Sequence, residues 1–389
     1  MKLLYVTDNY FYREGHSVFT AGQYSASYWS RYLDSFEEIV VVGRKDLSFI
    51  DSIDAPFVPA GANHVSFVLT DNLSSIRGQL IGRKNVRRSL ELAIKPIDVV
   101  IARLHSENGL LAIDIAIKHK KPWAVEVTSC AWDCLWNYGN LRGKAYAPVM
   151  FLKTQKVIRK APIVVYVTKE FLQQRYPNIG GKCFELSDVD LPNTEPEILY
   201  NREIRIKKSK HRIVLGLIGT LNTKYKGIQT VLKAIKAWPE NLPSVEFRIL
   251  GYGDRGIWEA EALRHNVLDS TVFSTPINSR SAVMSWLDEI DIYLQPSLAE
   301  GLPRSLIEAL SRGCPIIASR CGGIPELLDD ECLIRPGVVS ELRDQLTARV
   351  DDTQWQLKQA RQNWTQARRY TTDVLGPKRL AAIREIRTM

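Results

Sequence analysis

The chain has 389 residues, 45% of them apolar and 24% charged, and a formal charge of +9. That is the composition of a globular protein too long for one core, so two domains are expected. No apolar run reaches the length of a membrane-spanning helix, about eighteen residues. The six cysteines form no Cys-x-x-Cys pair, which excludes a zinc site of the usual spacing and points to reduced thiols and a cytoplasmic location. The positive charge suits an anionic substrate or membrane surface. Without a zinc finger, an RNA-binding aromatic motif or a basic tail, nucleic acid is not the expected partner.

From the N-terminus, Leu3 to Thr7 reads as a first strand and not as a secretory signal. A long polar loop is expected from Asp8 to Ser17, leading to Phe19-Thr20-Ala21-Gly22-Gln23. After a strand at Ile39 to Val42, Ile76, Leu80, Ile81, Val86, Leu90 and Ile94 recur at helical spacing. Arg77, Arg83, Lys84, Arg87 and Arg88 lie between them. This pattern is either a solvated helix face or a docking face for an anionic leaflet.

The next strand, Val99 to Ala102, ends at Arg103 and His105. Another, Ala124 to Thr128, carries Glu126 and runs into Ser129 and Asp133. Trp123, Trp132, Trp136 and Tyr138 crowd this region, as core or as a stacking platform for sugar rings. A second basic stretch holds Arg142, Lys144, Lys153, Lys156, Arg159 and Lys160, and a strand follows at Ile163 to Val167. Asp188-Val189-Asp190 is a D-x-D of the kind that can hold a divalent metal. Its place beside a polar, proline-bearing stretch makes chance the better account, and no metal is expected. That stretch reads as a linker over residues 191–211, between a first domain at 1–190 and a second at 212–369.

Strands restart at Ile213 to Ile218, Val245 to Leu250, Ile290 to Leu294, Pro315 to Ala318 and Cys332 to Ile334. Most strands are continuous apolar runs, as required when helices cover both faces of a parallel sheet. The fold class is therefore α/β, with two Rossmann-like domains whose parallel sheets face across a cleft. Residues 370–389 are expected to end in a helix that returns to the first domain.

In such sheets ligands bind beyond the carboxyl ends of the strands. After Ile290 to Leu294, the run Glu300-Gly301-Leu302-Pro303 feeds a helix expected from Pro303 to Arg312, with proline favoured at its start. The free N–H groups of that helix offer a seat for a diphosphate or a sugar hydroxyl. Glu300 and Glu308 can each accept two hydrogen bonds from vicinal hydroxyls, so together they can hold both sugars of one nucleotide-sugar. Gly322 and Gly323 follow the next short strand.

The run from Glu300 to Glu326, E-G-L-P-x4-E-A-L-x2-G-x-P-x-I-A-S-x2-G-G-x-P-E, resembles the donor-site signature of glycosyltransferase family 4. That is the large group of retaining enzymes with two Rossmann-like domains, the GT-B fold. Gly219-Thr220-Leu221, Lys226-Gly227 and Gly251-Tyr252-Gly253 agree with that resemblance, which spans Gly216 to Glu326. It implies that Glu308 holds the ribose, Glu300 the donor sugar, and Lys226 the diphosphate. Gly219, Lys224, Gly251, Gly253 and the backbone of Gly301 and Leu302 would line the donor. The family usually carries Arg where this chain has Thr220, and Lys224 would compensate.

In the first domain Gly22, Arg103, His105 and Ser129 are the acceptor-side candidates. Asp133, in a stretch similar to that of some capsule and O-antigen enzymes, is the candidate catalytic carboxylate beside Lys226 and Glu300. The resemblance implies a retaining hexosyltransferase. It would use a nucleotide diphosphate sugar, by frequency UDP-linked, and no cofactor. The acceptor would be a saccharide or a polyprenyl-linked saccharide at the inner face of the membrane. The alternatives are a nucleotide-sugar epimerase on the same fold and a non-catalytic partner subunit.

Overall fold

The apolar runs become strands because both of their faces are covered. The computed structural model describes residues 1–21, 23–45, 57–73, 78–236, 238–275, 277 and 279–389. They divide into two units. Unit 1 comprises Met1–Trp132, Pro148–Leu186 and Gly376–Met389, and unit 2 comprises Asp133–Ala147 and Ser187–Leu375.

Unit 1 contains β1 (Lys2–Glu14), β2 (Ser17–Thr20), β3 (Glu38–Lys45), β4 (Val58–Pro59), β5 (Val65–Thr70), β6 (Val99–Leu104), β7 (Trp123–Val127), β8 (Ile163–Tyr166) and β9 (Lys182–Glu185). Its parallel sheet runs β5-β3-β1-β6-β7-β8-β9, and β2 and β4 add antiparallel beside the far end of β1. Leu3, Tyr5, Val99, Ile101, Ala124 and Ile163 are buried in one core cluster.

The expected loop from Asp8 to Ser17 is not a loop. β1 continues to Glu14 and pairs back through Tyr12↔Phe19 and Glu14↔Ser17, after a register shift between Val6 and Tyr10. The reason lies in Tyr10-Phe11-Tyr12, whose aromatic rings favour a half-buried strand, and Phe11 is buried in the core. The basic helix is present over Arg83–Ile94. Val86, Leu90 and Ile94 are buried in the protein's own core while Arg83, Lys84 and Arg88 point outward, and Ile81, read into the same stripe, is exposed just before the helix. Ile76 and Arg77 lie outside the described residues.

Unit 2 contains β10 (Arg212–Ile218), β11 (Ser244–Leu250), β12 (Thr271–Ser274), β13 (Ile292–Gln295), β14 (Ile316–Ser319) and β15 (Leu333–Ile334). All pair in parallel, in the order β12-β11-β10-β13-β14-β15. The strand order reverses between β10 and β13, which is where a doubly wound sheet opens a crevice for a ligand.

Residues 191–211, read from sequence as a linker, carry the helix Pro196–Lys207, with proline in its first turn. Its Arg202 is buried and donates to the carbonyls of Arg312 (2.9 Å), Leu287 (2.9 Å) and Ile290 (2.5 Å). This stretch is therefore a packed element of unit 2, and its polar residues serve that packing. The last helix, Thr372–Arg387, places Ile383 and Ile386 in the core of unit 1, with Glu385 2.5 Å from the Lys182 ammonium.

Candidate functional site

The site forms in unit 2 from the loops after β10 and β13. Beyond β13, the chain passes Pro296-Ser297 and Glu300-Gly301-Leu302 into the helix Arg304–Ser311, with Pro303 as its N-cap. No side chain caps this helix. The N–H groups of Gly301 and Leu302 meet no protein acceptor among the described residues. Backbone donors left open beside a helix start favour negative charge.

Two close approaches fix the loop. Gly322 has φ +58°, and a Cβ there would lie 2.2 Å from the Glu300 carbonyl oxygen. Gly227, at φ +79°, would meet the Pro296 carbonyl oxygen at 2.0 Å. Only glycine fits either place. Gly322 thus serves the packing of the Glu300 loop, and Gly323 donates to the Gly301 carbonyl at 2.6 Å.

Lys226 closes the short turn after β10, and its ammonium lies 2.7 Å from Glu300 Oε1. The pair is largely buried, with 15% and 9% of the two side chains exposed. Burial alone would lower the Lys226 pKa, but Glu300 and Tyr225 outweigh it and the net shift is upward. The ammonium therefore stays charged. Gln295 (2.9 Å) and Ser297 (2.8 Å) donate to the same Glu300 oxygen.

Glu308 differs. It is half-buried, and its carboxylate accepts no hydrogen bond from any described residue. Burial pushes its pKa up, partly offset by Arg304 and Arg280. Both Glu308 and Glu300 act electrostatically on the buried Tyr293 phenol, so the two carboxylates flank one region.

The remaining donor-side candidates sit around this pair. Gly219 donates to the Leu250 carbonyl (3.0 Å), joining the turn after β10 to the Gly251-Tyr252-Gly253 turn after β11. The stem of Lys226 lies against Gly219. Thr220 Oγ1 accepts from the Asn222 N–H at 3.2 Å, so the hydroxyl stabilises its own turn where the family carries Arg. Lys224 is exposed, and its ammonium has no partner among the described residues.

Asp133 belongs to unit 2. It raises the pKa of Cys321 together with Glu300, after the larger effect of burial. Asn137, just past the same short helix, donates to the Leu298 carbonyl at 3.3 Å, two residues before Glu300. The structure thus brings Asp133 toward the donor loop.

Arg103, His105 and Ser129 lie together in unit 1 at the ends of β6 and β7, and Gly22 lies outside the described residues. His105 Nδ1 is 3.4 Å from Ser129 Oγ, and burial pushes the imidazole down to about 4. The Arg103 guanidinium sits 3.5 Å from Glu126 Oε2. That carboxylate also accepts from the phenols of Tyr5 (2.6 Å, Oε2) and Tyr32 (2.5 Å, Oε1).

Asp190 of the D-x-D accepts from Arg280 (3.2 Å) and Thr372 (3.1 Å), a tie within unit 2. The residues that sequence reasoning passed over are Tyr293, Gln295 and Ser297 around Glu300, and Tyr5 and Tyr32 around Glu126. A polar residue ending the apolar strand IYLQ was the available signal for Gln295.

Residues 212–352 match the family described as glycosyl transferases group 1. Protein CapJ of Staphylococcus aureus is 29% identical over 344 residues, covering 88% of this chain and 84% of that protein. The amylovoran biosynthesis glycosyltransferase AmsK of Erwinia amylovora is 29% identical over 151 residues, 37% of this chain and 36% of that protein. Anabaena HepE has been solved in complex with UDP and with UDP-glucose. It aligns over 100% of both chains at 15% identity, with TM-scores of 0.68 and 0.67. Among the described residues no helix is long and apolar enough to cross a membrane. The chain has the GT-B fold, and its match to glycosyl transferases group 1 lies within unit 2.

Proposed function

We propose that the chain transfers a hexose, with retention, from a nucleotide diphosphate sugar to a saccharide acceptor in surface polysaccharide synthesis. One observation carries the donor assignment: the half-buried Glu308 carboxylate has no protein donor and lies close to the Lys226–Glu300 pair. Its oxygens stay open to solvent in the free chain, and ribose hydroxyls would take the place of water as their donors. Glu300 would accept from hydroxyls of the donor sugar. Lys226 and the open N–H groups of Gly301 and Leu302 would meet the diphosphate, where negative charge grows as the bond breaks.

In this reading the bond between the anomeric carbon and the diphosphate oxygen breaks, and a bond from the acceptor oxygen to that carbon forms on the same face. The departing phosphate takes the acceptor's proton, so no protein base and no metal is invoked. UDP is the proposed nucleotide, as in the HepE complexes. Polysaccharide synthesis follows the naming of AmsK.

The acceptor is assigned to Arg103, His105 and Ser129 of unit 1, with a polyprenyl-linked saccharide as the class that suits the basic charge. Docking at the inner face of the membrane would be mainly electrostatic, through Arg83, Lys84 and Arg88, since Val86, Leu90 and Ile94 of their helix are already buried.

A thermal-shift panel of UDP-, GDP- and dTDP-sugars tests the donor site, because a ligand bound to the folded state raises the melting temperature. UDP-sugars should raise it, and Glu308→Ala should remove the rise. No shift with any nucleotide would sink the assignment.

A further inference from the structure

We propose that Gln295 is a positioning residue, backed by Tyr293 and Ser305, that locks the Glu300 carboxylate so that Oε2 alone is presented to the donor sugar. This rests on the reading that Glu300 holds that sugar. Glu300 Oε1 accepts three protein donors: Lys226 Nζ at 2.7 Å, Ser297 Oγ at 2.8 Å and Gln295 Nε2 at 2.9 Å. Oε2 has none among the described residues. A carboxylate turns easily about its last bond. Three donors on one oxygen remove that freedom and leave the other oxygen as the open acceptor.

The amide of Gln295 is itself held at both ends. Nε2 also donates to Ser297 Oγ (2.8 Å), and Oε1 accepts from Tyr293 Oη (3.0 Å) and Ser305 Oγ (3.3 Å). Turning the amide over would set its oxygen against Glu300 Oε1 and its NH2 against two hydroxyls that now donate. The direction of the chain is therefore fixed, from Tyr293 through Gln295 to Glu300. Gln295 is fully buried at the end of a strand that is otherwise buried. The fold would accept an apolar residue there, and a buried amide costs free energy unless it is fully paired. The pairing found here is directed at Glu300.

The test compares nucleotide with nucleotide-sugar. Affinities of the full chain are measured for UDP, UDP-glucose, UDP-galactose, UDP-N-acetylglucosamine and GDP-mannose, with melting temperatures recorded for every variant. Gln295→Met conserves volume and removes the amide. It should leave UDP affinity nearly unchanged and weaken the best UDP-sugar by about 10-fold, the size of one hydrogen bond to a charged group.

Tyr293→Phe should shift the same ratio in the same direction by less, because Ser305 still donates. It carries the test if Gln295→Met does not melt cooperatively. In a Glu300→Gln background, Gln295→Met should add nothing, since its effect runs through that carboxylate.

Equal loss of UDP and UDP-sugar, or a full additive loss on top of Glu300→Gln, would mark Gln295 as merely structural and overturn the proposal. So would an unchanged ratio in Gln295→Met while Glu300→Gln alters it. If Glu300→Gln alters neither affinity, or the unaltered chain binds none of the panel, the reading of Glu300 fails and this proposal with it.

Discussion

Glu126 in unit 1 and Glu300 in unit 2 are both carboxylates beyond or near the carboxyl end of a parallel strand, and each is held by three protein groups. Glu126 spends both oxygens. Tyr32 takes Oε1, and Tyr5 and Arg103 take Oε2. Glu300 spends one oxygen on all three of its donors. The same chemistry gives opposite outcomes. A carboxylate satisfied on both sides is a brace, and one satisfied on a single side keeps an oxygen open, as the ligand role proposed for Glu300 requires. Tyr5 and Tyr32, whose phenols are pushed far up by burial, remain donors across the working range and keep the brace closed.

The sharpest way to break this comparison is Glu126→Leu. It removes the carboxylate beside Arg103 and the acceptor of the buried Tyr32 phenol, and leaves Tyr5 only its contact with Tyr28, so stability should fall by about 3 kcal/mol in chemical denaturation. UDP affinity of the folded fraction should not change. If UDP binding falls with stability intact, Glu126 is no brace.

His105, in the same unit, should show itself through pH. Its folded pKa of about 4 lies below the ordinary 6.5, so the unfolded chain takes up the proton first. The contribution to stability is present above the unfolded value and is lost as pH falls through this window. By linkage it is worth about 3 kcal/mol. His105→Phe should flatten the acid limb of the stability curve between those limits. The raised carboxyls of Asp8 and Glu308 act in the opposite sense and do not imitate it. An unchanged acid limb in His105→Phe would mean that the imidazole is not held neutral by burial.

Legibility followed the same division. The expected second-half strands at Ile213, Val245, Ile290, Pro315 and Cys332 all correspond to β10, β11, β13, β14 and β15, because burial on both faces writes an apolar run into the sequence. The loop and helix start around Glu300 were readable because their parts are local: Glu300, Pro303 and Glu308 fall within nine residues, and proline and glycine mark the turns. β9 and β12 are hard to read because each is a four-residue strand at a sheet edge, and neither has a buried apolar position.

The brace in unit 1 could not be read at all. Tyr5 and Glu126 are 121 positions apart, and nothing in either neighbourhood announces the other. Helix Pro196–Lys207 was hidden by its charge, since its buried Arg202 pairs with carbonyl oxygens rather than with any acidic residue visible in the pattern.

On the open side of the comparison, Glu308→Ala should lower UDP affinity by roughly 2 kcal/mol, about 30-fold, if the carboxylate accepts two ribose hydroxyls. 2′,3′-Dideoxy-UDP should lose the same amount against the unaltered chain and nothing further against Glu308→Ala. Calorimetric titration of the four pairs checks this. An unequal or additive result would place Glu308 elsewhere than at the ribose.

The smallest effect tests the departure at Thr220. Its hydroxyl accepts from Asn222 and holds the turn after β10, while Lys226 stands nearby with its ammonium on Glu300. One cation close to a diphosphate leaves charge to be met, and Lys224 is exposed on the same loop. Thr220→Arg would restore a guanidinium suited to bidentate contact with phosphate oxygens. It also removes the hydroxyl from the turn, so the net gain in UDP affinity should be modest, about 1 kcal/mol or 5-fold, and should shrink as salt is raised. Uridine, which lacks phosphates, should bind both forms equally. A gain for uridine as well would mean that the substitution reshaped the turn. No gain for UDP would mean that the diphosphate does not pass over Thr220, and that the open N–H groups of Gly301 and Leu302 receive it instead.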